Sequence, residues 1–207
     1  MPMMLKNQER VEAILYSLDR LGFLTRSQIQ KLHDLKSARN ANRILYNMSP
    51  YLNSFRLQEN VYYLNKKGRE MINSHKVMNR NMQVHHILMR NEAYIHFGCP
   101  KKWGVEQAIQ DEKGNVYLRS DVIFALQEKD REVYYFLEID YMQKMVNNKK
   151  KVERYAQVKA MNLLQPSLGY FPQLFWVTTS EHRKKKLIQM CREQQLQHIV
   201  YTIDEIR

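Results

Sequence analysis

Residues 24–71 carry a series of local signals that leave little freedom in how the segment folds. Thr25 and Gln28 form a T-x-x-Q capping box, so a helix opens at about Ser27 and carries Ile29 and Leu32 inward as far as Asp34 or Leu35. A short polar turn follows. The spacing then predicts a second helix from about Ser37, with Ala41, Ile44, Leu45 and Met48 on one buried stripe at i, i+3, i+4 and i+7. Its other face is Arg39, Asn40, Asn42, Arg43, Tyr46 and Asn47. Pro50 closes this helix. Residues 54–58 and 61–64 alternate as two short strands joined at Glu59-Asn60, and Lys66, Lys67 and Arg69 introduce a further helix.

Two helices across a tight turn followed by a hairpin make a winged helix-turn-helix. Residues 6–21 supply its leading helix, burying Val11, Ile14, Leu15 and Leu18 and ending at Gly22. The polar face of the second helix suits base reading, because Arg donates a bidentate pair to guanine while Asn both donates to and accepts from adenine. The expected DNA contacts are therefore Ser37, Arg39, Asn40, Asn42, Arg43, Tyr46 and Asn47 on that helix. Arg56 on the wing and Lys66 and Lys67 after it would touch phosphate. The alternative is the same fold used for protein contact, with Arg39 and Arg43 merely solvated.

The charge points the same way. The chain has 33 Lys and Arg against 21 Asp and Glu, a net charge of +12, which suits a polyanionic partner. The surplus is +6 in residues 1–75 and +6 in the rest, so the shorter first part is the more densely basic. With 207 residues and 44% hydrophobic content there is material for two small domains, expected at 1–78 and 79–207. Cys99 and Cys191 have no metal-ligand spacing, which argues against a zinc ribbon or disulfide framework. No apolar run approaches a membrane span and no signal-peptide core is present, so a cytoplasmic protein without membrane contact is expected. No Gly-rich phosphate loop is present either, and no nucleotide cofactor is expected.

After residues 75–79 the pattern predicts a helix over 81–97 and then strands over 104–109, 117–126 and 132–140. A helix over 143–164, a strand over 174–178, a helix over 180–195 and a last strand over 199–203 follow. The fold class is thus α+β, a winged helix-turn-helix followed by a mixed-sheet α/β domain. Strand alternation puts Glu138 and Asp140 on one face, with Asp121 on the neighbouring strand. Three convergent carboxylates would be hard ligands for Mg²⁺ or Mn²⁺, the equipment of a metal-dependent nuclease. Equally, they are strand-end acids paired with Arg119, Lys144 or Lys149. Tyr155 reads as a packing residue rather than a nicking nucleophile, and one of His85 and His86 as a core histidine. The runs at Lys149 to Lys151 and Arg183 to Lys186 are helical charge runs that are either solvated or extend a phosphate-contact surface.

The element order, with Asp121 before one apolar strand and Glu138 near the end of the next, resembles the PD-(D/E)XK nuclease fold. That pattern places Lys where this chain has Asp140. Lys144, or Lys149, Lys150 or Lys151 on the next helix, is placed to reach back, and Lys149 is the catalytic candidate beside Asp121, Glu138 and Asp140. The winged helix, the segment His85-His86-Ile87-Leu88-Met89-Arg90-Asn91-Glu92, Arg119-Ser120-Asp121 and Leu137-Glu138-Ile139-Asp140, followed by a Lys-rich helix ending at Tyr155, resemble the replication-relaxation family over nearly the whole chain. The resemblance implies a protein of plasmids and other mobile elements that takes part in replication or in DNA relaxation during transfer. Two readings result. One is a sequence-specific, homodimeric binder of double-stranded DNA that regulates transcription, replication or transfer and needs no cofactor. The other is a metal-dependent endonuclease or nickase, with a non-cutting relaxosome accessory protein as a third possibility.

Overall fold

The computed structural model describes residues 2–207, with side chains from Gln8 onward. The chain divides into two compact units, Met1–Asn91 and Glu92–Arg207. In the first unit α1 (Pro2–Leu21) leads into β1 (Leu24–Thr25), α2 (Arg26–Leu32), α3 (Ala38–Asn47), β2 (Leu52–Arg56), β3 (Asn60–Leu64) and α4 (Lys66–Met71). The three strands form an antiparallel sheet in the order β1-β3-β2. This is a winged helix-turn-helix.

Its starts and stops follow local chemistry. The Thr25 hydroxyl accepts the Gln28 backbone N–H while the Gln28 side chain accepts that of Thr25, closing the expected capping box around the start of α2. Ser37 caps α3 by accepting the Asn40 N–H. Gly22 ends α1 at φ +85°, a left-handed conformation that glycine adopts without Cβ strain. The hairpin differs from the expected one. The strands are joined by residues 57–59, with Arg56 opposite Asn60, because the Leu57 N–H donates to the Glu59 carbonyl within the turn. The two-residue β1 was too short to carry a period in the sequence.

The seam falls later than residue 78 because the first half of α5 (Val84–His96) belongs to the winged-helix unit. Val84 and Ile87 pack with Phe23 and Val61, and Phe55, Tyr63 and Leu88 close around them. The buried Asn91 amide donates to the carbonyls of Leu21 (3.1 Å) and Phe23 (2.8 Å), satisfying the chain where α1 turns into β1.

The second unit is built on β4 (Trp103–Gln110), β5 (Val116–Glu128), β6 (Arg131–Asp140), β7 (Gln173–Thr178) and β8 (His198–Thr202), which neighbour one another in chain order. The first three are antiparallel, as the hairpin signals required, whereas β6, β7 and β8 are parallel. Parallel neighbours need crossovers. These are α6 (Met145–Ala160), with the short α7 (Gln165–Leu168) after it, and α8 (Glu181–Glu193). Two crossovers of the same hand progressing in one direction put both helices on one sheet face. Accordingly, Val152, Tyr155 and Val158 of α6 and Leu187 and Cys191 of α8 share a core with Phe136, Leu174, Trp176 and Val200. The opposite face is aromatic, with Phe97 against Phe124 and Phe175. Cys191 is buried and Cys99 exposed. Among the described residues no helix is long and apolar enough to cross a membrane.

Replacing Asn91 by Ala should cost the first unit about 1–3 kcal/mol, since it leaves two carbonyls without their donor. Urea denaturation showing an unchanged midpoint would remove Asn91 from this role.

Candidate nucleic-acid interface and carboxylate cluster

Helix α3 exposes two adjacent rows, each at i, i+4 spacing. Asn42 and Tyr46, the latter 79% exposed, form one row, and Arg39, Arg43 and Asn47 the other. The first row borders a polar groove of about 600 Å³ between α3 and the wing, whose far wall is Ser54, Arg56 and Asn60. Arg56 is held there by donating to the Asn60 side chain (3.3 Å). Glu59 fixes the wing by accepting the Ser27 N–H (3.0 Å) and the Ser27 hydroxyl and by pairing with Arg26 (3.3 Å). One end of the groove is thereby tied to the start of α2.

The expected DNA-contact residues therefore separate by role. Arg39, Asn42, Arg43, Tyr46, Asn47 and Arg56 have exposed side chains. Ser37 is the cap, and Asn40 is occupied, donating to the Leu35 carbonyl (3.0 Å) and accepting from Arg43 (2.9 Å). These two shape the helix start. Lys66 and Lys67 are exposed at the start of α4 but do not line the groove; Lys66 faces Glu70 at 3.9 Å and Lys67 lies over the Tyr51 ring. Arg26, Ser54 and Asn60 also line the groove, Ser54 and Asn60 because the folded hairpin brings them to α3 and Arg26 from the start of α2, where it pairs with Glu59.

In the second unit β5 and β6 bring Asp121 beside Glu138. One Asp121 oxygen accepts the Ile139 N–H at 2.8 Å, in place of a ladder carbonyl, and the other meets the Lys151 ammonium at 2.9 Å. Lys151 also pairs with Glu138, whose other oxygen accepts the Tyr155 hydroxyl. Glu138 is completely buried. Burial raises its carboxyl well above the usual range and the Asp121 charge adds to this, with Lys151 and Tyr155 opposing. Burial works against the Lys151 ammonium too, but Glu138 and Asp121 outweigh it and raise its pKa.

Two expectations are corrected here. Asp140 does not converge with the other acids, although it shares a strand face with Glu138. It is bound by the Arg183 guanidinium (2.7 and 2.5 Å), the Thr178 hydroxyl (2.7 Å) and the Asn148 amide (2.9 Å). Lys149 is exposed, and Lys151 is the lysine that reaches back. Helical period carried that signal: Lys151 lies one turn before Tyr155, on the edge of the stripe formed by Asn148, Val152 and Tyr155, whereas Lys149 points away. Tyr155 is fully buried, as a packing residue should be.

The residues do not fit a resident divalent ion. Lys151 occupies the space between Asp121 and Glu138, the carboxylate oxygens face donors within the fold, and the third expected ligand is committed to Arg183. Among the described residues no group of three or more His, Cys, Asp or Glu is arranged to hold a metal.

The replication-relaxation family model matches residues 15–174, from the last turns of α1 to the start of β7. The chain belongs to the replication-relaxation family. No curated protein matches the sequence. Among solved structures, restriction endonuclease FokI is similar at 12% identity over 95% of this chain and 43% of that chain (TM-score 0.40). FokI bound to DNA is similar at 14% identity over 96% and 43% (TM-score 0.39). This replication-relaxation chain thus spans less than half the length of either. Its second unit is the mixed sheet expected from the element order, with β4, β5 and β6 antiparallel and β7 and β8 added in parallel.

Replacing Lys151 by Met should destabilise this unit by about 3–5 kcal/mol, because Asp121 and Glu138 lose their shared cation. Adding Asp121→Asn and Glu138→Gln should recover much of the loss. Thermal denaturation that ranks the single variant level with the parent would show that the ammonium holds nothing.

Proposed function

We infer that this protein binds double-stranded DNA sequence-specifically through its winged helix, and that the output is regulation of transcription, replication or transfer of a plasmid or other mobile element. The observation that carries this reading is the exposed double row on α3 beside the wing groove. It places Arg and Asn side chains on one protruding helix, with Arg56 on the neighbouring wall. The family's name, replication-relaxation, supports a DNA-related role. The second unit is then an interaction or dimerisation module. Two copies on paired half-sites would multiply the specificity of one recognition helix, and sedimentation of a monomer both on and off DNA would remove that part.

Arg39→Ala and Arg43→Ala should each weaken binding to the selected site by about 1–3 kcal/mol while leaving random duplex little changed. Site selection from a random duplex pool followed by titration measures both. Equal losses on selected and random DNA would reduce these residues to phosphate contacts.

The second reading, a metal-dependent endonuclease or nickase, has one observation in its favour: Lys151 supplies the lysine missing at position 140. Its carboxylates are closed by that same lysine, so supercoiled plasmid should stay intact with Mg²⁺ or Mn²⁺. Nicking that disappears in an Asp121→Ala, Glu138→Ala variant would establish the enzyme instead.

A further inference from the structure

We propose that the outer surface of α6 and α8 is a second DNA-backbone contact, separate from the winged helix. Together these helices carry ten Lys and Arg against three Glu. The carboxylates beneath them are already matched: Asp121 and Glu138 by Lys151, and Asp140 by Arg183. Lys184 is taken by Glu205, and Lys159 donates to the Gln195 carbonyl. That leaves six, Lys149, Lys150 and Arg154 on α6 and Lys185, Lys186 and Arg192 on α8. All six are exposed, and none has a carboxylate within ion-pair reach among the described residues.

Both helices cover the same sheet face and pack against each other, so their outer sides form one continuous surface. Lys150 and Arg154 stand at i, i+4, where like charges weaken a helix and a Glu would strengthen it. Among the described residues no carboxylate pairs with either to offset that arrangement. A polyanion laid across both helices would offset it, and a regular row of phosphates matches a row of Lys and Arg that carries no base-reading geometry. The occupant is therefore duplex DNA. Once the winged helix is bound, the covalently tethered surface meets the same molecule at high effective concentration.

The inference rests on the winged-helix reading, and the test separates the two. The full-length protein, an Arg39→Ala, Arg43→Ala variant and a variant with Lys149, Lys150, Arg154, Lys185 and Lys186 all changed to Gln are titrated with a duplex carrying the selected site and with a long mixed-sequence duplex across salt concentrations. The five-Gln variant should keep its melting temperature and its preference for the selected site, while the slope of log K against log salt becomes shallower by about 4–5, at roughly 0.9 per phosphate contact. A change smaller than one contact's worth overturns the proposal, as does wild-type protein that does not bind duplex at low salt. Binding to the selected site that is unaffected by the Arg39 and Arg43 changes but lost in the five-Gln variant would overturn the winged-helix reading and leave this surface as the DNA site.

Discussion

The Lys151 ammonium between Asp121 and Glu138 is the interaction around which the second unit is arranged. A mixed sheet buries whatever its central strands carry, and β6 carries Glu138 and Asp140 on the face that α6 and α8 cover. Buried carboxylates are tolerated only when matched by cations or hydrogen-bond donors. The covering helices supply them, Lys151 from α6 and Arg183 from α8, with Tyr155, Asn148 and Thr178 completing the shells. Each helix is thus held to the sheet by a directional contact as well as by apolar packing. The same contacts consume the acids that a metal centre would require.

Matching the interior charges has an outward consequence. With the acids spent below, the outer sides of α6 and α8 keep exposed cations with no carboxylate in ion-pair reach among the described residues. In the winged helix the balance is different. Glu59 spends its charge on Ser27 and Arg26, which fixes the wing against the start of α2 and holds the groove open beside Asn42 and Tyr46. A recognition surface held in place by such contacts loses less freedom on binding.

Much of this was legible in the sequence. The capping box at Thr25, the cap at Ser37, the buried stripe of α3 and the hairpin signals are local, and local chemistry acts whatever the rest of the chain does. The strand-pair identity of Asp121 and Glu138 was legible too, through alternation. Other features were not local. Whether Lys149 or Lys151 reaches the acids depends on how α6 is rotated over the sheet. Whether Asp140 joins them depends on Arg183, which is 43 residues away in sequence and arrives only when β7 and α8 fold back.

The sequence by itself therefore determined the winged helix, the order of the α+β unit and the polar row offered by α3, because caps, periodicity and turn residues act over a few residues. Only the tertiary structure decided the partners of the buried charges. Those pairings are set by which side chains the crossovers place within reach, and the cost of leaving a carboxylate buried and unmatched is large enough to divide the three acids between Lys151 and Arg183.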